Sequence, residues 1–210
     1  MFRASVILFG TGARFSEAVL DQLLAHGLKP VALGLPEFAP AVLKGMVEAR
    51  VDTGVTENRF IVQARRLSIP MIYLPQSSQT DQAQEIAALK ADFLLVACWP
   101  YLLSPEIVSA IGKAALNLHP SILPNYRGAD PVAEQIQQQE KELGVSLHLL
   151  SQEFDQGDIV DQAGLELGTK FPGRELIETQ AARVGTHLFM KAINDFGGPD
   201  WRLRSQLFLG

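Results

Sequence analysis

The chain has 210 residues and a formal net charge of −5; 47% of its residues are hydrophobic and 20% are charged. This composition excludes the disordered class, and the length predicts one domain. A single cysteine, Cys98, excludes an internal disulfide and fits a reducing, cytoplasmic setting. An acidic chain without a basic stripe gives no reason to expect a nucleic-acid partner. No apolar stretch reaches the ~18 residues of a membrane span, so no membrane partner is expected.

Short apolar runs alternate with amphipathic segments along the first half of the chain. The predicted strands are 5–9, 30–33, 70–74, 92–98 and 114–119, and the predicted helices between them are 15–26, 57–67 and 79–90. Gly10 closes the first strand, Gly27 the first helix and Gly34 the second strand. Strand–helix alternation predicts an α/β fold with an open, mostly parallel, twisted sheet and helices on both faces.

The second half predicts a different pairing. A helix at 130–139 is followed by strands at 145–150 and 159–167, which pair as a hairpin, and by a long closing helix at 174–196. Residues 1–196 are therefore expected to form one domain. Residues 197–210 are expected to form a tail that packs on the core or against a second copy in a homodimer. The segment 34–56 is interpreted as a long functional loop with a weak helical pattern.

The segment LNLHPSILPNYRG carries the most specific chemistry in the sequence. Asn117 and His119 are two positions apart in a predicted strand, so their side chains share a face. They lie where that strand ends, before Pro120, and ligands of such sheets bind at the carboxyl ends of the strands. Further along, the acidic turn EFDQGD places Asp155 and Asp158 at the sheet edge.

These residue types suit acyl chemistry. A histidine relays protons near neutral pH, an amide N–H stabilises a developing oxyanion, and a carboxylate orients the imidazole. They fit attack of either an amine or water on a carbonyl. Cys98 is interpreted as core rather than as a nucleophile, and the spacing of the four histidines does not predict a metal site. His148 is expected either to face this site or to be structural.

The stretch from Cys98 to Gly128 resembles the formyltransferases that use 10-formyltetrahydrofolate. The family pattern is Asn-x-His-x-Ser-[Leu/Ile]-Leu-Pro followed by an Asp-x-Gly turn. Asn117, His119, Ser121 and the run 122–124 match the first part, and Asp155 follows His119 by 36 positions with Gly157 two positions on. The resemblance covers about 92–196, with the order of elements agreeing before it, and implies a Rossmann-like formyltransferase fold.

The resemblance implies roles for particular residues. Asn117 would hold the formyl oxygen, His119 would donate a proton to it, and Asp155 would orient His119 and help move a proton from the amine to the leaving nitrogen. Asp158 is the rival carboxylate, and Ser121 is expected to cap its loop. The folate pocket would be lined by the following residues: Trp99, Tyr101, Leu102, Leu103, Leu123, Gln156 and Gly157.

The acceptor is less well specified by the sequence. The turn GTGAR after the first strand lacks the polar pair that receives a phosphate in the purine-pathway enzyme, whereas RGADP at 127–131 resembles the tRNA and sugar branches. The tRNA enzyme carries a further C-terminal domain, so methionyl-tRNA is not the expected acceptor. We expect a small amine, an amino sugar or a nucleotide-like amine, with the 34–56 loop on the acceptor side.

Two other functions remain open. A hydrolase that releases formate would use the same three residues, and a folate-binding module would use only the pocket. A nucleotide-binding reductase is discounted because GxGxxG after the first strand and an acidic end to the second are both missing.

Overall fold

The computed structural model describes residues 4–37, 58–77, 79–168 and 172–206, so most of the predicted 34–56 loop lies outside it. The strands are β1 (Val6–Gly10), β2 (Ala32–Pro36), β3 (Met71–Leu74), β4 (Phe93–Ala97), β5 (Ala114–His119), β6 (Gly144–Leu149) and β7 (Ile159–Gly164). The helices are α1 (Arg14–Ala25), α2 (Arg59–Arg66), α3 (Thr80–Ala88), α4 (Pro105–Ser109), α5 (Pro131–Gln137) and α6 (Arg174–Asp195). Within these ranges, no helix is long and apolar enough to cross a membrane.

The strands form one seven-stranded sheet in the order β3-β2-β1-β4-β5-β6-β7. The first five pair in parallel, whereas β6 pairs antiparallel with both β5 and β7. The predicted α/β fold and the hairpin at its edge are therefore confirmed. The strand order reverses between β1 and β4, and a crevice at such a point is where open α/β sheets bind ligands.

Strand alternation divides the core into two layers. Val6, Leu8 and Leu116 pack on the layer that includes α1 and α6, whereas Ile7 and Phe9 pack on the layer that includes α3 and α4. Both faces of the parallel strands are thus covered, which explains why these strands are almost continuously apolar.

Most predicted bounds are shifted by one to three residues, and two larger differences from the sequence prediction have a physical cause. The second strand was expected to stop at Gly34, but β2 continues through this glycine to Pro36. A Cβ at Gly34 would lie 2.1 Å from the Phe9 ring, so the glycine is needed inside the strand for close packing rather than as a turn. The short helix α4 was not predicted, although Ser104 caps it and Pro105 stands at its first position.

The C-terminal segment packs back on the sheet. Trp201 stacks edge-on against Phe196, with ring centroids 4.8 Å apart. Arg204 and Ile159 exchange two backbone hydrogen bonds of 2.9 Å, which adds an antiparallel bridge beside the start of β7. The described part of the predicted tail therefore lies against the core.

Candidate active site

A cavity of about 550 Å³ opens at the carboxyl ends of the central strands. Its wall includes Thr11 after β1, Cys98 after β4, and Asn117 and His119 at the end of β5. The cavity therefore lies beside β1 and β4, the two strands between which the strand order reverses, as expected for a binding site in this class of sheet.

Strand alternation positions the two polar side chains of β5. Leu116 and Leu118 pack on the α1/α6 layer and Ala115 on the opposite one, so Asn117 and His119 continue the second face beyond its apolar part. In the antiparallel pairing, His148 of β6 stands directly opposite Asn117 and shares that face.

The turn between β6 and β7 supplies the carboxylate. Asp155 has a φ of +55°, in the left-handed region that non-glycine residues seldom adopt. Its Oδ2 accepts a 2.9 Å hydrogen bond from the backbone N–H of Gly128, which belongs to the loop after β5. Two chain segments therefore fix the same carboxylate.

Asn117, His119 and Asp155 converge as the sequence predicts. The Oδ1 atom of Asp155 lies 3.4 Å from Nδ1 of His119 and accepts a 3.3 Å hydrogen bond from Nδ2 of Asn117. The same oxygen lies 3.6 Å from Nε2 of His148. The Asp155 and His119 side chains are only 9% and 5% exposed, so the interactions occur largely out of water. Asp158 is not on the cavity wall.

The surroundings of Asp155 keep it ionised. Burial raises the pKa of this carboxyl, but the neighbouring imidazoles of His119 and His148 and the charge of His119 outweigh burial, and the Gly128 N–H adds to them. The net effect holds the Asp155 pKa well below its usual range. The carboxylate is therefore available to pair with a charged imidazole.

The two histidines have different hydrogen-bond partners. Nε2 of His119 lies 2.7 Å from the carbonyl oxygen of Tyr126 while Nδ1 faces Asp155, and the imidazolium is the form that donates at both nitrogens. Nδ1 of His148 donates to the Leu149 carbonyl at 2.8 Å, which leaves Nε2 to accept a 3.0 Å hydrogen bond from Asn117. His148 thus orients the Asn117 amide. The alternation of polar and apolar residues in β6 was the only sequence signal for it.

Part of the predicted folate pocket lies on the cavity wall. Trp99, Tyr101, Leu102 and Leu103 all line the cavity. The Trp99 ring packs edge-on against Tyr101, with centroids 5.2 Å apart, and the Tyr101 hydroxyl donates to the Leu74 carbonyl. This wall combines aromatic and aliphatic side chains, and Leu102 remains exposed.

Leu123, Gln156 and Gly157 lie outside the cavity wall, in contrast to their predicted placement. Leu123 is buried, and its N–H donates to Ser146 Oγ at 3.0 Å. Gln156 is exposed and bonds to Glu153. A Cβ at Gly157 would lie 1.8 Å from the Leu149 carbonyl oxygen, so this glycine allows a close backbone approach.

The sequence did not predict the charged part of the wall. Asp130, which caps α5, accepts a 2.8 Å hydrogen bond from Nη1 of Arg174, and Nε of Arg174 donates to Glu178 at 2.7 Å. Glu178 is 7% exposed. Two carboxylates thus surround one guanidinium. The opposite charges of Asp130 and Arg174 in the sequence do not by themselves predict that these two residues meet.

Cys98 and Ser121 have non-catalytic surroundings. Cys98 lines the cavity rather than lying wholly in the core, and burial, with a contribution from Glu178, raises the pKa of its thiol to about 12. A thiol that stays protonated is a poor nucleophile. Ser121 donates to the Asn125 carbonyl at 2.8 Å, as expected of a loop-capping residue. Within the described ranges, no cluster of three or more His, Cys, Asp or Glu could hold a metal ion.

Comparison with known proteins yields a family match and curated relatives. A family model described as Formyl transferase matches residues 3–192. The methionyl-tRNA formyltransferase of Helicobacter pylori strain J99 is 28% identical over 189 residues, covering 80% of this chain and 61% of that protein. The methionyl-tRNA formyltransferase of Orientia tsutsugamushi is 34% identical over 183 residues, covering 80% and 59%. The chain thus spans about three-fifths of the length of these relatives.

Solved structures share the fold at lower sequence identity. A phosphoribosylglycinamide formyltransferase from Bacillus halodurans superposes with a TM-score of 0.65 at 19% identity, covering 89% of this chain and 94% of that one. A glycinamide ribonucleotide transformylase from Symbiobacterium toebii gives a TM-score of 0.68 at 18% identity, covering 98% and 95%.

Proposed function

The chain belongs to the formyl transferase family, and from this premise we propose that it transfers a formyl group from 10-formyltetrahydrofolate to an amine. Residues 1–196 would form the catalytic domain. The observation that carries the proposal is the convergence of Asn117 and His119 on one oxygen of Asp155, within 3.4 Å and at the wall of the cavity.

Asn117 and His119 would act on the formyl oxygen. As the amine nitrogen bonds to the formyl carbon, negative charge develops on this oxygen, and N–H donors aimed at it lower the barrier. His148 accepts one hydrogen bond from the Asn117 amide and so fixes its orientation. The second N–H of Asn117 donates to Asp155, and it must exchange that oxygen for the formyl oxygen. For His119 to donate to substrate, its Nε2 proton must exchange the Tyr126 carbonyl for the formyl oxygen.

Asp155 would stabilise the charged form of His119 and direct proton transfer. The ionised carboxylate faces Nδ1 of His119, which favours the imidazolium as proton donor. The amine loses a proton when it becomes an amide, and the N10 leaving group gains one when its bond to the formyl carbon breaks. Asp155, directly or through water, would pass that proton.

The apolar part of the wall suits the formyl donor. 10-Formyltetrahydrofolate supplies an activated N-formyl group attached to a flat ring system. Trp99, Tyr101, Leu102 and Leu103 offer a hydrophobic surface for such rings, and the Gln79 side chain braces their loop through Leu102 O and the N–H of Ser104.

The charged part of the wall suits an acceptor that carries an amine. Asp130 and Glu178 together outnumber the one guanidinium of Arg174, so this wall has an excess of negative charge that attracts an ammonium group. We propose a small amine as acceptor, such as an amino sugar or a nucleotide-like amine, rather than a tRNA, since the chain itself carries a net charge of −5.

The test is a transfer assay with 10-formyltetrahydrofolate and a panel of amines that includes amino sugars, glycinamide ribonucleotide and methionyl-tRNA. We expect a formylated amine, detected by mass spectrometry, to appear in equal amount to the tetrahydrofolate released. Formate released at the same rate without any amine would indicate a hydrolase. Folate binding without turnover would indicate a binding module, and methionyl-tRNA as the preferred acceptor would contradict the small-amine proposal.

A further inference from the structure

A side chain from the C-terminal segment holds the turn that carries Asp155. Gln206 is 6% exposed, and its amide nitrogen donates to the carbonyl oxygens of Asp155 at 2.9 Å and Gly157 at 2.7 Å. Its Oε1 accepts hydrogen bonds from Nε and Nη2 of Arg127 at 3.2 and 2.6 Å. A single buried amide thus joins three segments that are far apart along the chain.

The turn needs such support because its backbone is strained. A non-glycine residue in the left-handed region, such as Asp155 at φ +55°, is disfavoured and persists where its surroundings hold it. Gln206 bonds to the carbonyl of Asp155 itself and to the carbonyl of Gly157, two residues further on. The backbone hydrogen bonds between Arg204 and Ile159 hold the segment that leads to Gln206 against the start of β7.

The same amide also reaches the second support of the carboxylate. Arg127 immediately precedes Gly128, whose N–H donates to Oδ2 of Asp155. Through Arg127, Gln206 therefore constrains the loop after β5 as well as the turn after β6. The side chain of Asp155 is thus held by the loop after β5, and its backbone is held by the C-terminal segment through Gln206.

We infer that Gln206 is a positioning residue for the reaction, and that with Arg127 it clamps the Asp155 turn to the Gly128 loop at the distance that pairs Asp155 with His119. Gln206 does not line the cavity, so it acts through Asp155 and not on substrate. The inference rests on the proposed function only for its kinetic consequence.

The experiment compares Gln206→Glu and Gln206→Ala with Arg204→Ala. Gln206→Glu keeps the shape and the acceptor for Arg127 but loses both N–H donors. Arg204→Ala removes another polar side chain of the same segment, which bonds to Gln162 away from the turn. Rates are expressed per folded molecule by titration with a folate analogue, so a loss of folding does not count as a loss of positioning.

We expect both Gln206 variants to lower kcat by about 10- to 100-fold, the cost of a small misplacement, with little change in KM for donor or acceptor. The acid limb of the kcat profile should move to higher pH, because Asp155 is held less firmly against His119, His148 and the Gly128 N–H. Arg204→Ala should change neither. An unchanged kcat and profile in Gln206→Glu, or an equal loss in Arg204→Ala, would overturn the inference.

Amide hydrogen exchange tests the clamp without any assay of activity. Peptides that contain residues 155–157 should exchange faster in both Gln206 variants and at the wild-type rate in Arg204→Ala. Unchanged exchange in the Gln206 variants overturns the clamp. If wild-type protein transfers no formyl group but exchange accelerates as expected, the proposed function fails while the clamp stands.

Discussion

The two sides of the cavity differ in chemistry and in the face of the sheet to which they belong. Trp99 and Leu103 pack with the α3/α4 layer and form an apolar wall. Arg174 and Glu178 project from α6, which packs on the opposite layer, and with Asp130 they form a charged wall. His119 is the last residue of β5, and the two walls meet at this carboxyl end of the strand.

This difference assigns substrate binding to the two walls and the chemical step to the residues between them. An apolar wall recognises a flat donor by burial of its surface, and a charged wall recognises the acceptor by electrostatics. Neither wall needs to change charge during the reaction. The groups that do move protons, His119 and Asp155, should therefore govern kcat, and the walls should govern KM for one substrate each.

The largest expected effect comes from His119→Ala, which removes the group between the walls. Loss of a proton donor should lower kcat by about 100- to 10,000-fold while circular dichroism and donor affinity are retained. The matched control is His187→Ala on the exposed surface of α6. A His119→Ala enzyme within about threefold of wild-type kcat would contradict the assigned role.

The second-largest effect is expected from Asp155→Asn, which keeps the shape of the side chain and removes its negative charge. We expect kcat to fall by about 100-fold or more, because the imidazolium loses its counter-ion. Asp158→Asn changes the neighbouring carboxylate of the same turn, which lies off the cavity wall, and should have little effect. Equal losses in the two variants would mean that the negative charge of the turn, not the position of Asp155, matters.

The third prediction tests the apolar wall at Leu102, which is 42% exposed and lines the cavity. Leu102→Asp should raise KM for the formyl donor about tenfold and leave KM for the acceptor unchanged, because a charge replaces apolar contact area. Leu176→Asp, at a leucine that is 43% exposed and off the cavity wall, is the matched control. A rise in KM for the acceptor alone would indicate that the apolar wall binds the acceptor and not the formyl donor.

The fourth prediction tests the charged wall at Glu178. Glu178→Gln removes one of the two carboxylates around Arg174. We therefore expect KM for the acceptor to rise several-fold, which corresponds to about 1 kcal/mol of binding free energy, while KM for the donor stays unchanged. Glu175→Gln on the same helix removes an exposed ion pair with Arg14 and should leave both values unchanged. An effect of Glu178→Gln on donor KM only would show that the acceptor does not approach this wall.

The smallest expected effect is on the pH dependence of stability. The folded pKa of Asp155 is lowered, so its ionised form contributes stability that is complete above the unfolded value of about 4. That contribution is lost as the pH falls through the folded pKa. Denaturant unfolding followed from about pH 5 downward should therefore show a steeper loss of stability in wild type than in Asp155→Asn. Parallel curves would contradict the pairing of this carboxylate.

Sequence reasoning succeeded where local pattern and function coincide. The bounds of β5 were predicted correctly because Lys113 precedes an apolar run and Pro120 ends it. Asn117 and His119 could be placed on one face by alternation alone, and the Asp155 turn by its motif. Four of the seven predicted pocket residues line the cavity, since they directly follow β4.

The remainder depended on contacts between distant segments. The salt bridge between Arg174 and Asp130 and the hydrogen bond between Gln206 and Asp155 form across 44 and 51 positions of the chain, and no periodicity encodes them, whereas Arg174 and Glu178 are an i,i+4 pair. His148 could be assigned to the site only once the register of β6 against β5 was known. Gly34 was misread because a glycine that admits the Phe9 ring looks, in sequence, like a turn.

The central claim is that His119 and Asp155 act as one unit on the formyl group. The most direct measurement is kcat for His119→Ala, Asp155→Asn and the double variant in the formyl-transfer assay. The double variant should lose much less activity than the product of the two single losses, since Asp155 has no imidazole to orient once His119 is gone. Losses that multiply in the double variant would show that the two residues act independently, and would contradict this account.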